Sequence, residues 1–447
     1  MTLTPKRLLA TLEKLPQTDR YVVAYSGGKD SHVLLHLLAG LFGKSSGPRL
    51  SAVHVNHGLQ PNAGSWAVHC ADLCRQLDVP CQTLELNLSP AKGESIEAQA
   101  RMARYRALEK LIQTGDLLLT AHHQDDQAET VLLQLLRGAG PAGLSAMPEL
   151  TRFGCGYMAR PLLAVSAAEI DDYAKAEQLC WIEDPSNRSL QFDRNFLRNQ
   201  VIPVLRGRWP ALGRTLSRSA RHCAETQALV EAAVADDLEA FWERDNHSLA
   251  VTGIAVLPPP RARALLRVWI SAEGFPVPGS ARLERVLNEM VTAGRDRNPL
   301  VHWPGAEVRR FRDRIYIMRP LPRLTHIAPL EWDGSTSVRL PGSLGRLEAY
   351  TGPGGLSLSD WRTARIRIKF SARQQDGVRI AGQLHSTTFK NLFQQHAVPV
   401  WMRPRIPLIY LDNELAAVGD LCICNPFAVA QSERGVHLRW IRVLDTD

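Results

Sequence analysis

A glycine-rich loop between an apolar segment and a helical one constrains the fold of this chain more than any other feature. The loop, Ser26-Gly-Gly-Lys-Asp-Ser31, follows the predicted strand Tyr21–Tyr25 and precedes the predicted helix His32–Ala39. Further apolar segments, each followed by a stretch with helical period, predict strand–helix–strand units. They are Leu50–Val55, Cys81–Leu86 and Asp116–Ala121. We therefore expect an α/β fold with a doubly wound parallel sheet, whose ligands bind at the carboxyl ends of its strands.

The loop has the composition of a phosphate-binding site. Unpaired amides at a helix N-terminus attract anions, and glycines let a phosphate approach the backbone closely. Lys29 supplies a positive charge, and Asp30 could hold a magnesium ion that bridges the phosphates. The pattern is not the Walker loop, because Asp30 follows the lysine where that motif has Ser or Thr. The candidate nucleotide-binding residues are Ser26, Gly27, Gly28, Lys29, Asp30 and Ser31.

A second polar motif, Ala121-His-His-Gln-Asp-Asp-Gln-Ala-Glu-Thr130, follows the fourth predicted strand. Residues four apart share one face of a helix, so His122 should lie near Asp126, and Asp125 near Glu129. Such a group suits either Mg²⁺ binding beside the phosphates or the binding of an ammonium group. An acidic helix start that complements the helix dipole is the alternative without a function. Together with the phosphate loop, the motif favours the functional interpretation.

These motifs, in their order along the chain, resemble those of the tRNA(Ile)-lysidine synthetases, a family of the PP-loop ATP pyrophosphatase superfamily. The resemblance continues through a series of downstream motifs, namely Leu136-Arg-Gly-x-Gly140, Arg160-Pro-Leu-Leu163, Asp184-Pro-Ser-Asn187 and Arg194-Asn195 with Arg198. The matching motifs cover residues 21–200, and looser matches follow at Lys390–Phe393 and Pro399–Arg403. One departure is Gln60, which stands where the family usually has Arg.

The resemblance implies ATP-dependent ligation of L-lysine to C2 of the wobble cytidine in an isoleucine tRNA with the anticodon CAU. The reaction would form lysidine through an adenylated cytidine and release AMP and pyrophosphate. The implied catalytic residues are Asp30, which would also hold Mg²⁺, His122, Asp126 and Glu129, and the last two are candidates for holding the lysine or positioning its amine. The alternative is another PP-loop tRNA-modifying enzyme such as a cytidine thiolase. Thiolases usually need a Cys-x-x-Cys pair, which the sequence lacks.

Basic segments predict an RNA surface. The chain carries 53 Lys and Arg against 45 Asp and Glu, a net charge of +8. Residues 194–221 contain seven Arg and no acidic residue, and a strand-like segment at 310–314 and an alternating one at 365–369 add further cations. The candidate substrate-binding residues are Arg101, Arg104, Arg194, Asn195 and Arg198. Arg101 and Arg104 could meet the AMP phosphate or the tRNA backbone, or could be solvated helix charges.

The length of 447 residues suggests two or three domains. We predict a Rossmann-like PP-loop catalytic domain at residues 1–208, a mainly helical tRNA-binding domain at 209–320, and a small mixed α+β domain at 325–447 that binds the acceptor side of the tRNA. Eight scattered Cys and the lack of a long apolar run predict a cytoplasmic protein that does not contact membranes. The sequence leaves the oligomeric state open.

Overall fold

The computed structural model describes residues 2–43, 47–56, 58, 62–86, 96–185, 189–294, 297–324, 327–342, 344–370 and 376–442. The chain divides into two compact units, Met1–Leu229 and Val230–Asp447. The predicted boundary between the first two of three domains, at residue 208, lies upstream of this division. The motif residues Gln60, Ser186 and Asn187 lie outside the described residues.

The first unit alternates strands and helices. Its helices are α1 (Pro5–Leu12), α2 (Lys29–Phe42), α3 (Ala63–Gln76), α4 (Ile96–Leu111), α5 (Gln124–Leu136), α6 (Pro141–Leu144), α7 (Ala167–Ala176), α8 (Asp193–Phe196), α9 (Ile202–Arg208) and α10 (Leu212–Phe241), whose last turns belong to the second unit. Its strands are β1 (Arg20–Ala24), β2 (Arg49–Asn56), β3 (Cys81–Glu85), β4 (Asp116–Leu119), β5 (Leu150–Phe153) and β6 (Gly156–Ala159). A π-helical turn, Leu197–Val201, joins α8 to α9.

The predicted doubly wound sheet is confirmed. The strand order is β3-β2-β1-β4-β6-β5, and all neighbours are parallel except β5 and β6. Since β1 lies between β2 and β4, the chain reverses its direction across the sheet after β3. Ligands of such sheets bind where the strand order reverses, at the carboxyl ends. The loops that follow β1 and β4 meet at this point.

The apolar strands are buried on both faces, which is why their sequences read as continuous apolar runs. Tyr21 and Val23 of β1 pack into the core formed with α2, whereas Val22 packs on the other face with Leu108 of α4 and with Ile112, which follows that helix. Burying one such side chain contributes about 1.5–3 kcal/mol. The cores on its two faces stabilise the sheet, and the polar loops at its edge extend from these packed strands.

The second unit contains short helices and antiparallel sheets. Its helices are α11 (Val251–Val256), α12 (Pro259–Ala272), α13 (Ser280–Arg285), α14 (Leu358–Thr363) and α15 (Phe389–Gln395). Its strands are β7 (Trp242–Glu243), β8 (Ser248–Ala250), β9 (Leu300–Trp303), β10 (Ala306–Phe311), β11 (Arg314–Met318), β12 (Leu330–Trp332), β13 (Ser337–Arg339), β14 (Arg346–Ser357), β15 (Ile366–Lys369), β16 (Gly377–Val378), β17 (Thr387–Thr388), β18 (Leu408–Leu411), β19 (Glu414–Val418), β20 (Cys422–Ile423) and β21 (Ala428–Ile441).

This unit holds two hydrophobic cores. One surrounds Trp269 of α12 and packs helices on a sheet of order β7-β8-β11-β10-β9, which the sequence analysis did not predict within its helical domain. The other surrounds Phe393 and joins the sheets β12-β15-β18-β19-β20 and β13-β14-β21. Within the described ranges, no helix has both the length and the apolar character to cross a membrane.

The prediction of a basic strand at Arg310–Arg314 is wrong. Arg312 has a φ of +54° and forms the turn between β10 and β11. Arg310 is buried and donates to the backbone oxygens of Met290 and Val291, while Arg314 donates to the Ser248 hydroxyl. The first and last of these arginines therefore serve the fold, because their donors are consumed by backbone and hydroxyl oxygens.

Candidate active site

The glycine-rich loop begins at the carboxyl end of β1 and ends in the first turn of α2. Ser31 is buried, and its hydroxyl donates to the Gly28 carbonyl at 2.9 Å and lies 3.0 Å from the Ser26 hydroxyl. The Ser31 hydroxyl thus shapes the loop, while Ser26 is exposed and its hydroxyl accepts a hydrogen bond from the Gly28 amide at 3.3 Å. Within the described part of the chain, no side chain caps α2, so its first amides are free to meet an anion.

Gly27 lets the loop turn tightly beneath the site. Its φ is +81°, and a Cβ atom placed on it would lie 2.8 Å from the Cys70 sulfur and 3.0 Å from the Ile182 side chain. The Gly27 carbonyl also accepts a hydrogen bond from the Ile182 amide at 3.0 Å. A larger residue would therefore have to displace both neighbours and adopt a conformation that L-residues avoid.

Lys29 points from the loop toward the helix α7. It forms an ion pair with Asp171, and its Nζ lies 6.0 Å from the centre of the Trp181 ring. Asp171 is partly exposed, so the pair is weak enough to exchange for a phosphate. The sequence analysis did not identify Asp171, because a partner 142 residues away leaves no local signal.

His123 connects the phosphate loop to the second polar motif. It caps α5, and its Nε2 lies 3.6 Å from the Asp30 carboxylate and 3.5 Å from the Asp126 carboxylate. Burial opposes protonation of His123, but the hydrogen bond with Asp30 and the charges of the surrounding carboxylates outweigh it and raise its pKa. His123 was not among the residues predicted from the sequence, although its position as the first residue of a capping box was a signal for it.

Asp126 and Glu129, on α5, form a cluster with Arg194 and Arg198. Glu129 is 1% exposed and accepts three N–H groups, from Arg194 Nε at 2.8 Å and from Arg198 Nε and Nη2 at 2.5 and 2.9 Å. Asp126 Oδ1 accepts from Arg194 Nη2 at 3.1 Å and from Arg198 Nη2 at 2.8 Å. Two carboxylates and two guanidinium groups make the cluster electrically neutral. A lysine ammonium would have to replace a guanidinium here.

The cluster changes the proton affinities of its members. Burial alone would raise the pKa of Asp126, but the positive charges of His123, Arg194 and Arg198 lower it overall. Burial would lower the pKa of Arg198, yet the hydrogen bond that it donates to Glu129 and the charges of both carboxylates raise it. Asp126 and Arg198 are therefore held in their charged forms at neutral pH.

The structure does not place His122 as the sequence predicted. α5 begins at Gln124, so His122 lies before the helix and the four-residue spacing to Asp126 does not put the two on one helical face. Its Nδ1 lies 2.9 Å from the Thr120 hydroxyl, and burial lowers its pKa to about 4. An imidazole with so low a pKa is neutral at pH 7 and is a weak general base.

Asp125 is separate from the cluster of Asp126 and Glu129. It forms an ion pair with Arg206, on the helix α9. Asp125 and Glu129 both lie in α5, four residues apart as predicted, but they contact different arginines. Asn195, also a candidate substrate-binding residue, donates its side-chain amide to the Ser189 carbonyl at 3.0 Å and so fixes the turn before α8.

Arg101 and Arg104 lie on α4 around the ring of Tyr105. Their guanidinium carbons lie 5.1 and 5.6 Å from the ring centre. Arg101 is exposed, and its charge lowers the pKa of both His122 and Arg160. The structure thus brings Arg101 to the sheet edge near the site.

The residues present fit a magnesium ion bound through Asp30. The Asp30 side chain is 39% exposed, and its carboxylate has no arginine or lysine partner among the described residues. Those residues contain no group of three or more metal-binding side chains. Mg²⁺ is usually bound by one or two carboxylates together with substrate phosphates, which is the donor set that Asp30 and a nucleotide would provide.

Comparison with known proteins shows which family the chain belongs to. Three family models match the chain, a PP-loop domain at residues 2–205, a TilS substrate binding domain at 249–316 and a TilS substrate C-terminal domain at 366–440. A tRNA(Ile)-lysidine synthase from Coxiella burnetii is 40% identical over 97% of this chain and 95% of its own. Another from Methylococcus capsulatus is 40% identical over 94% and 96%, respectively. The chain belongs to the tRNA(Ile)-lysidine synthase family.

This membership confirms the resemblance predicted from the motifs. In this lysidine synthase family member, the structure gathers Asp30, Asp126, Glu129, Arg194 and Arg198 at one edge of the sheet, as the motif order suggested. The sequence could not show that the arginines bind the carboxylates, since the partners lie 65–72 residues apart.

Proposed function

We propose that this enzyme uses ATP to ligate L-lysine to C2 of the wobble cytidine in an isoleucine tRNA with the anticodon CAU. The product is lysidine, and an adenylated cytidine is the intermediate. The observation that carries the proposal is the meeting of two sites through His123, which lies within 3.6 Å of the loop residue Asp30 and of Asp126 in the carboxylate–arginine cluster. ATP activation and amine transfer need adjacent sites of this kind, because the lysine must attack the same carbon that ATP has activated.

The loop residues 26–31 bind the phosphates of ATP. The amides of the first turn of α2 and the Lys29 ammonium supply positive potential to the pyrophosphate leaving group. Asp30 holds Mg²⁺, which when bound neutralises phosphate charge. Lys29 exchanges Asp171 for a phosphate oxygen as the nucleotide enters.

Asp126 and Glu129 have two connected roles in the proposal. They orient Arg194 and Arg198, whose contacts with the carboxylates use the Nε and Nη2 atoms and leave the Nη1 atoms for a phosphate. When a phosphate draws a guanidinium away, the carboxylate oxygens become free to bind the lysine ammonium. Because an ammonium needs carboxylates and its reactive form needs a base, Asp126 and Glu129 are the residues we assign to lysine.

The remaining parts of the chain bind the tRNA. We assign residues 1–208 to catalysis and the segments 209–320 and 325–447 to tRNA binding, the last on the acceptor side. The reaction takes place in the cytoplasm, where tRNA, ATP and lysine occur together.

The test uses the purified full chain, radiolabelled ATP and an isoleucine tRNA transcript with the anticodon CAU. We expect AMP release that requires the tRNA, and nucleoside mass analysis should show lysidine only when L-lysine is present. A transcript with uridine at the wobble position is the matched control and should give neither product. AMP release without lysine in the nucleoside would overturn the proposal and favour another PP-loop tRNA modification.

Asp126→Asn separates the two roles of the cluster. A variant with a weakened lysine site raises KM for lysine at unchanged KM for ATP, whereas a variant that only misplaces the arginines raises KM for ATP or tRNA. We expect the lysine KM to rise on the order of 10-fold, as a lost charged contact predicts. Asp30→Asn is the comparison, and it should abolish AMP formation while leaving tRNA binding intact.

A further inference from the structure

The outer face of the sheet β13-β14-β21 exposes an aromatic side chain among arginines. Strand register places Arg339 opposite Arg346 and Glu348 opposite Arg439. The next pair on the same face, two residues further along β14, is Tyr350 and His437. Side chains of cross-strand partners share a face, so these residues form one surface.

The opposite face of the same sheet is buried, so the face with the arginines and Tyr350 is the one that faces solvent. Leu347, Val436 and Trp440 are all below 7% exposed and belong to the core around Phe393. The alternation with period two therefore leaves the polar and aromatic side chains on the solvent side.

Tyr350 and His437 form a stacked pair on this surface. Their ring centres are 5.4 Å apart with an angle of 19° between the ring planes. His437 Nε2 lies 3.0 Å from the Pro353 carbonyl, and this hydrogen bond holds the imidazole in place beneath the tyrosine. Tyr350 is nevertheless 55% exposed, and among the described residues of the second unit it is the only exposed large aromatic side chain.

The charges around the aromatic pair favour an anionic partner. The face carries three arginines and one acidic residue, Glu348, whose carboxylate is bound by Arg346 at 2.8 Å. Arg339 and Arg439 are exposed and form no ion pair within the described ranges. A flat aromatic ring with unpaired arginines beside it is the combination that binds nucleic acid, because bases stack on the ring and phosphates pair with the guanidinium groups.

We propose that this face is an RNA-binding surface on which Tyr350, supported by His437, stacks on an unpaired base of the tRNA while Arg339 and Arg439 contact its phosphates. The inference rests on the proposed function for the identity of the RNA. An exposed ring that is already stacked on one side loses little conformational entropy when a base covers its other side. The surface therefore adds affinity for tRNA without taking part in the chemistry.

The test measures equilibrium binding of the tRNA transcript to the full-length protein at a fixed salt concentration. Tyr350→Ala should weaken binding on the order of 10-fold, and Tyr350→Phe should bind within about 2-fold of the parent, since a phenyl ring stacks as well as a phenol. Leu384→Ala, at a site 98% exposed and off this face, is the matched control and should have no effect. Arg439→Gln should reduce the slope of log Kd against log salt concentration by about one.

Lysidine formation at saturating tRNA is measured for the same proteins. If the parent protein forms lysidine and Tyr350→Ala binds tRNA as tightly as the parent does, the proposed RNA-binding surface is overturned and the proposed function is not. A parent protein that forms no lysidine but binds tRNA in a Tyr350-dependent manner would overturn the proposed function alone. Weakened binding by Tyr350→Ala at an unchanged turnover number at saturation supports both.

Discussion

Removing the charge of Glu129 should destabilise the first unit by about 2–3 kcal/mol. The glutamate accepts three N–H groups from Arg194 and Arg198, and glutamine keeps one acceptor oxygen while turning an amide N–H₂ toward a guanidinium. Two charged hydrogen bonds would be lost at about 1.5–3 kcal/mol each. The arginine side chains are 32% and 39% exposed and regain water, so each loss is discounted to about 1–1.5 kcal/mol, which gives about 2–3 kcal/mol for the two.

A double-mutant cycle isolates the interaction. Unfolding by heat or urea is followed for the full chain, for Glu129→Gln, for Arg198→Gln and for the double variant. A loss of 2–3 kcal/mol lowers the melting temperature by about 4–12 °C for a unit of this size. The coupling energy between the two sites should be about 2 kcal/mol and should persist in high salt, because buried charges are screened less than exposed ones.

The exposed pair of Arg221 and Glu225 supplies the control cycle. Its side chains are 68% and 66% exposed and 4.0 Å apart, so its coupling should be below about 0.5 kcal/mol and should vanish in salt. If the Glu129–Arg198 coupling were equally small, the buried cluster would not be an ordered ion-pair network. The proposed orientation of the arginines by the carboxylates would then be refuted.

Three further results are expected. Gly27→Ala should raise the ATP KM on the order of 10-fold, because its Cβ would lie 2.8 Å from the Cys70 sulfur at a φ of +81°, whereas Gly40→Ala, with open space around it, should stabilise α2 by about 0.5–1 kcal/mol. His122 has a folded pKa of about 4, below its unfolded value of 6.5, so stability should fall as the pH drops from 6.5 toward 4. Urea titrations should show about 2 kcal/mol lost by pH 5, a loss absent in His122→Asn. Arg214→Gln should reduce the slope of log Kd for tRNA against log KCl concentration by about one, which a KCl titration measures.

The sequence predicted the first sheet well because parallel strands are buried on both faces and read as apolar runs. It failed at the hairpin of β10 and β11, where Arg310 and Arg314 point into the protein and bind backbone and hydroxyl oxygens. No local pattern distinguishes an arginine with internal partners from one that faces solvent. The antiparallel sheet in the predicted helical domain was missed because its strands contain only two to six residues each.

The sequence predicted most residues of the candidate site but not the contacts between them. The motifs gave Asp126 and Glu129 and, separately, Arg194 and Arg198, because each motif is local in sequence. Their pairing depends on how α5 packs against α8 and the π-helical turn that follows it, which is a tertiary property. His123 was passed over for His122 because the helix start was placed too early, and one residue decides which imidazole faces Asp30.

The pairing also changes what the arginine-rich segment can do for RNA. Seven arginines between residues 194 and 221 suggested a continuous phosphate track. Arg194, Arg198 and Arg206 are engaged by carboxylates of α5, and a cation already paired with a carboxylate releases few counterions when a phosphate approaches. We therefore propose that the exposed arginines further along the segment hold the tRNA backbone, while the first three organise the edge of the sheet that we assign to catalysis. One run of like charges thus divides into a catalytic part and a binding part, and the division follows from which arginines α5 can reach.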